Sequence, residues 1–131
     1  MLLTDSLEGL LHLGATRWPT QNALKDQHGT LTYAELFAQV QQRRSQLQVA
    51  GLQAGDRMML QLPKQRELVI EFFAAWSLGA LVVPVHQALK PSQLQYIVKD
   101  CSPRLVSMTA TRRQQLAAEF SLPAGCNWFD S

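Results

Sequence analysis

A chain of 131 residues, 47% hydrophobic and 17% charged, is long enough for one domain with a substantial core and too short to divide into several. Twelve Lys and Arg against ten Asp and Glu leave a net charge of +2, too even to mark a nucleic-acid or membrane-surface binder. No apolar stretch approaches the ~20 residues of a membrane span, and Asp5 and Glu8 fall where a signal peptide needs its apolar core, so the chain reads as cytoplasmic.

Asp5 and Glu8 have capping-box spacing, and Leu7, Leu10 and Leu11 follow at helical intervals, which predicts a short amphipathic helix ending near Gly14. Trp18-Pro19 reads as a loop. Asn22 to Gln27 and Thr30 to Thr32 then flank His28-Gly29, a glycine turn suited to a tight β-hairpin. Thr32 and Glu35 form a second capping box, with Leu31 and Leu36 as its hydrophobic staple. Leu36, Phe37, Val40 and Leu47 mark one face of the helix that follows, and the Gln- and Arg-rich segment from Gln39 to Arg44 marks the other, with a stop before Gly51.

Gly55-Asp56 leads into Met58 to Leu62, the expected first strand of a parallel sheet, which Pro63 closes. From Leu68 to Leu78 the residues are apolar almost all round, with Glu71 the only charge, so a helix here is expected to be buried on several sides. Gly79 turns into Leu81 to Val85, continuously apolar and β-branched, the pattern of a strand covered on both faces. Pro84 is discordant inside such a strand and marks where the chain leaves the sheet. Pro91 opens a helix with Leu94, Ile97, Val98 and Cys101 on one face; Arg104 to Met108 makes a third strand. Thr111 and Gln114 suggest a further cap, Leu116, Ala117 and Phe120 a short helical face, and Asn127 to Phe129 the start of a fourth strand.

Strands alternating with helices imply parallel pairing: an α/β fold, doubly wound, with a mostly parallel sheet, flanking helices and a short β-hairpin ahead of it. The expected organisation is one unit over 1–131, with the first helix and hairpin in 1–32 and the α/β layer in 33–131.

Residue patterns that carry chemistry are few in this chain. The turn Pro63-Lys64-Gln65-Arg66 lacks the glycines of a phosphate loop, and no GxGxxG or GxxxxGK[ST] occurs elsewhere. Lys64 and Arg66 could meet an anion near a helix N-terminus, although solvated side chains are the commoner outcome. Arg43-Arg44 and Arg112-Arg113 have no interleaved aromatic residue and read as solvated helix faces, with no nucleic acid as partner. Cys101 and Cys126 have neither CxxC spacing nor a nearby His, so free thiols are expected and no metal site. Of His12, His28 and His86, only His86 stands where α/β sites lie, at the carboxyl end of a strand; it is the candidate substrate-binding residue, and no catalytic residue emerges.

Two stretches carry a resemblance. Leu31-Thr32-Tyr33-Ala34-Glu35-Leu36 looks like the first core motif of the adenylate-forming (AMP-binding) enzymes, among them acyl-CoA synthetases, and Leu78 to His86 resembles the second. Between them Gly51 to Arg57 is similar to the family's G-x-x-x-G-D-R lead into a strand, and Leu94 to Met108 matches the helix and strand that follow. Leu62-Pro63-Lys64-Gln65 and Leu89-Lys90-Pro91 are further similar to acyl-CoA ligases of bacterial exosortase systems. Departures are Ser77-Leu78 where lysine-alanine is common, and His86 where Asp or Asn is frequent.

The resemblance implies a two-step reaction. ATP and Mg²⁺ convert a carboxylate to an acyl-adenylate, and a thiol such as coenzyme A then takes the acyl group. It implies a phosphate loop, an acidic residue for the ribose and a lysine on a C-terminal domain, none of which occurs before Ser131. The expectation is therefore the N-terminal part of an acyl-CoA ligase, inactive alone, binding no cofactor by itself and having the remainder of the enzyme as its partner. The alternative is a self-contained α/β binding or assembly module that self-associates through an exposed sheet edge. A small enzyme working through His86 is a third.

Overall fold

A computed structural model describes residues 7–130. The elements run α1 (Leu7–Arg17), β1 (Asn22–Asp26), β2 (Gly29–Thr32), α2 (Tyr33–Val49), β3 (Arg57–Gln61), α3 (Arg66–Ser77), β4 (Leu81–Pro84), α4 (Pro91–Cys101), β5 (Leu105–Met108), α5 (Ala110–Leu116) and β6 (Asn127–Trp128). The cap expected from Asp5 and Glu8 lies outside the described residues. α1 continues past Gly14 to Arg17, because this glycine does not terminate the helix: a Cβ on it would stand 2.7 Å from the Tyr33 ring, so its bare backbone lets α1 close onto α2.

β1 and β2 form the expected antiparallel hairpin. Asp26 pairs with Gly29, which places the turn at Gln27-His28, one residue earlier than the glycine suggested. Asp26 Oδ1 accepts the His28 N–H at 2.9 Å, and Gly29 takes a φ of +116° on re-entering the strand. At the start of α2 the capping box is complete. Thr32 accepts from the Glu35 N–H at 3.2 Å while Glu35 accepts from the Thr32 N–H at 2.9 Å. Thr32→Ala is expected to remove about 1 kcal/mol of stability, read as a lower urea midpoint with an unchanged m-value. The cap of α5 is Thr109, which accepts from the Arg112 N–H; the expected Thr111 lies inside the helix.

β3 to β6 form a parallel sheet in the order β4-β3-β5-β6. Period-2 alternation sends its side chains to two cores. Met58, Leu60 and Leu105 meet Leu36, Val40 and Leu47 of α2 and Ile70, Ala74 and Ala75 of α3. Met59, Val106 and Met108 meet Leu94 and Val98 of α4, with Leu116 of α5 and Phe120 beyond it. The layer is thus covered on both faces, as a doubly wound α/β fold requires.

The centre lies elsewhere than the apolar runs suggest. β3 and β5 are the buried strands, whereas β4 is an edge strand: Leu81 is 60% exposed and Trp76 of α3 49%. Edge placement also resolves Pro84. Leu81 and Val85 donate inward to Asp56 O and Leu60 O, so alternation turns the Pro84 nitrogen outward, where no ladder bond is lost. No helix among the described residues is long and apolar enough to cross a membrane.

Candidate functional site

From β3 the chain moves outward to β4, then returns across β3 to β5, so the strand order reverses between β3 and β5. A crevice forms outside the carboxyl ends of strands at such a reversal. Its rim is built by the segments after β3 (62–65), after β4 (85–90) and after β5 (Thr109).

The segment after β4 is held by a relay of side chains. Gln61, the last residue of β3 and buried, donates through Nε2 to His86 O at 2.9 Å. Its Oε1 accepts from Arg112 Nε at 3.1 Å, and Arg112 Nη2 donates to Leu89 O at 2.6 Å. A buried glutamine amide is tolerable because both its ends are used. His86 itself is exposed, and its Nδ1 accepts the Ala88 N–H at 3.0 Å. An Asp or Asn at this position would make the same bond two residues ahead, so the ring nitrogen reproduces an Asx-type turn.

The basic residues considered earlier are mostly engaged within the chain. Asp26 takes Arg66 through its backbone N–H at 2.8 Å, Nε at 3.1 Å and Nη2 at 2.9 Å, tying the hairpin to the start of α3. Arg113 lies over the Trp128 ring at 4.4 Å and pairs with Asp130. Arg112 is half-buried in the relay and the Arg43 side chain is only 13% exposed, so the reading of both doublets as solvated helix faces is corrected: the fold brings Gln61 of β3, Trp128 of β6 and Asp130 to the one, and Glu67 and Glu71 of α3 to the other. The Arg66 hydrogen bonds, against some burial, hold the Asp26 carboxyl well below the usual carboxylate range. A depressed carboxylate stabilises the fold above its unfolded value and ceases to as pH falls toward the folded one. Asp26→Asn should therefore lower stability at pH 7, and the deficit should fade below about pH 4, as followed by urea unfolding across pH.

Beside the relay, a cavity of about 320 Å³ opens between α3 and the ends of β5 and β6, with Gln65, Glu67, Glu71, Ser107, Thr109 and Asp130 among its walls. Glu71 is only 4% exposed. Its Oε2 accepts from Arg43 Nη1 at 2.8 Å, and Arg43 Nη2 donates to Glu67 Oε2 at 2.9 Å. Burial pushes the Glu71 carboxyl up; the Ser107 hydroxyl and the Arg43 charge pull it part of the way back.

Residues 11–126, which contain Arg43, Gln61, Glu67, Glu71, His86 and Arg112, match the family model described as AMP-binding enzyme. The chain belongs to the AMP-binding enzyme family. It is 33% identical over 110 residues to an L-proline–[L-prolyl-carrier protein] ligase of Pseudomonas fluorescens, covering 84% of this chain and 22% of that protein. Among solved structures it superposes on VinN with a TM-score of 0.85 at 30% identity, covering 95% of this chain and 31% of the other. A Mycobacterium tuberculosis fatty acyl CoA synthetase shares the fold with a TM-score of 0.86 at 24% identity, over 98% of this chain and 27% of the other. The chain thus spans about a fifth to a third of the length of these relatives.

For an AMP-binding enzyme the nucleotide site is the first thing to seek, and the carboxyl-end segments here do not fit one. None of the three contains a glycine, so no bare backbone can approach a phosphate. Among the described residues no three His, Cys, Asp or Glu side chains gather to hold a metal ion. Cys101 and Cys126 are free, and burial raises both thiols, which makes them poor nucleophiles. The residues that organise this end of the sheet are Gln61, Arg112, Arg43 and Glu71. Two of them left a trace in the sequence: a lone amide at the end of the apolar run from Met58 and a lone carboxylate inside an apolar helix both demand partners.

Proposed function

We propose that this chain is the N-terminal part of an ATP-dependent ligase that converts a carboxylate to an acyl-adenylate and then to a thioester with coenzyme A. The supporting observation is the family match over residues 11–126, which embraces the helices on both sheet faces and the parallel strands β3, β4 and β5 and stops just before β6. In this reading the remainder of the enzyme supplies ATP, Mg²⁺ and thiol binding, and covers the open β4 edge where Leu81 and Trp76 stand exposed. The likeness to a prolyl-carrier-protein ligase favours, as a variant, a carrier-protein thiol as acceptor.

The test is carboxylate-dependent ATP–pyrophosphate exchange. The intact gene product should catalyse it with some member of a carboxylic-acid panel, and the isolated 131-residue chain should not. Pyrophosphate release by the purified short chain would refute its inactivity; an intact product inert toward every acid would refute the ligase reading. His86 is the substrate contact within this reading, since it is exposed beyond β4 and uses only Nδ1 for its turn. His86→Ala is expected to raise KM for the acid about fivefold with kcat little changed, the size of one neutral hydrogen bond.

The open edge also favours a second reading, a self-contained module that associates through β4. Light scattering that reports a monomer at all concentrations would overturn it.

A further inference from the structure

Gln61 ends β3 with only 1% of its surface exposed, and its side-chain amide has a single orientation that satisfies its neighbours. Arginine is a donor only, so the amide oxygen has to face Arg112 Nε at 3.1 Å, which leaves the NH₂ group for His86 O at 2.9 Å. The reverse orientation would set donor against donor at Arg112 and acceptor against acceptor at His86. Arg112 thus dictates where the Gln61 donor goes. It also holds the far end of the same turn, through Nη2 on Leu89 O, and its own backbone N–H is fixed on Thr109 Oγ1 at 3.1 Å. Val85 makes the last ladder bond of this segment, to Leu60 O at 2.9 Å; from there to the start of α4, Gln61 and Arg112 supply the hydrogen bonds that tie the turn to the rest of the fold. Inside the turn, His86 O accepts the Leu89 N–H at 3.3 Å and His86 Nδ1 accepts the Ala88 N–H at 3.0 Å. The ring proton therefore lies on Nε2, and the group left over for a ligand is a hydrogen-bond donor.

We propose that Gln61 and Arg112 are positioning residues for a ligand contact at His86: they set the backbone of the turn from His86 to Leu89, and through it the direction of the Nε2 donor, which suits a carboxylate or carbonyl oxygen of the acid. The inference rests on the reading of His86 as the substrate contact. Gln61→Glu separates positioning from support of the fold. A carboxylate keeps Arg112 as its partner, now in an ion pair, but has no hydrogen to give, so an acceptor comes to face His86 O and the turn is released. Gln61→Met removes both bonds at nearly the same volume and adds no buried charge, so it carries the same test if the glutamate variant does not fold.

The first measurement is ¹⁵N relaxation of the 131-residue chain, which needs no substrate. The amides of Gln87, Ala88 and Leu89 should show order parameters of about 0.85 and fall toward about 0.6 in either variant, while those of β3 and β5 stay where they were. The second is carboxylate-dependent ATP–pyrophosphate exchange by the intact gene product. Gln61→Glu should raise KM for the acid about fivefold with kcat little changed, and the double variant with His86→Ala should be no worse than His86→Ala alone, because Gln61 acts through His86. Order parameters that stay high in both variants would overturn the positioning role. So would a KM that rises in His86→Ala but not in Gln61→Glu, or a double variant worse than His86→Ala by a further factor of about five. A KM unmoved by His86→Ala overturns the substrate contact instead, and the order parameters then decide on their own whether Gln61 and Arg112 hold the turn.

Discussion

Arg43→Met is expected to lower the unfolding free energy by about 3–5 kcal/mol, the usual consequence of leaving a buried charge without its partner. Arg43 is 13% exposed and its methylene stem packs much as methionine would, so the loss is chiefly electrostatic. The two partners do not weigh equally. Glu67 is half-exposed and regains water, whereas Glu71 cannot, so the effect belongs to the Glu71 pair. Arg43→Met combined with Glu71→Met should recover most of the stability, because two apolar side chains need no partner.

Acidity separates this mechanism from simple loss of packing. Burial already raises the Glu71 carboxyl above its ordinary value of 4.5, and removing Arg43 takes away one of the groups that pull it down. A carboxyl with a raised folded-state pKa holds a proton that the unfolded chain has released, so stability rises as pH falls through the folded value. The deficit of Arg43→Met should accordingly shrink from pH 7 toward pH 5 in urea titrations. A deficit independent of pH would assign the cost to packing instead. The Asp26→Asn deficit also fades as pH falls, but only below about pH 4, so the pH window tells the two apart.

Leu47→Ala is the second large effect, about 3 kcal/mol within a range of 2–5. Leu47 is wholly buried in the last turn of α2, and its backbone carbonyl accepts the Leu52 N–H at 3.0 Å, so the turn cannot readily collapse into the space left behind. Leu81→Ala on β4 removes an equally large side chain, yet should change stability by less than about 0.5 kcal/mol in the 131-residue chain. The pair measures strand order directly, since a β4 at the centre of the sheet would make the two substitutions comparable.

Capping boxes, glycine stops and hydrophobic period act over a few residues, and this local order was legible: the start of α2 at Thr32, its end before Gly51, the hairpin and the alternation of strands with helices all follow from neighbours in the chain. The motif from Leu78 to His86 is legible for the same reason. What local pattern does not carry is which strand lies beside which. An apolar run such as Leu81 to Val85 reports that the strand is suited to burial, not that anything in this chain covers it, and parallel order depends on crossovers more than a dozen residues long. Thus the sequence by itself determined the elements, their class and the family. Only the tertiary structure decided that β3 and β5 are the core strands, that Gln61 and Arg112 meet across 51 residues of chain, and that Arg43 stands between Glu67 and Glu71. Each of those pairings joins segments that periodicity describes separately, and it exists because a buried polar group has to find its partner wherever the fold has brought one within reach.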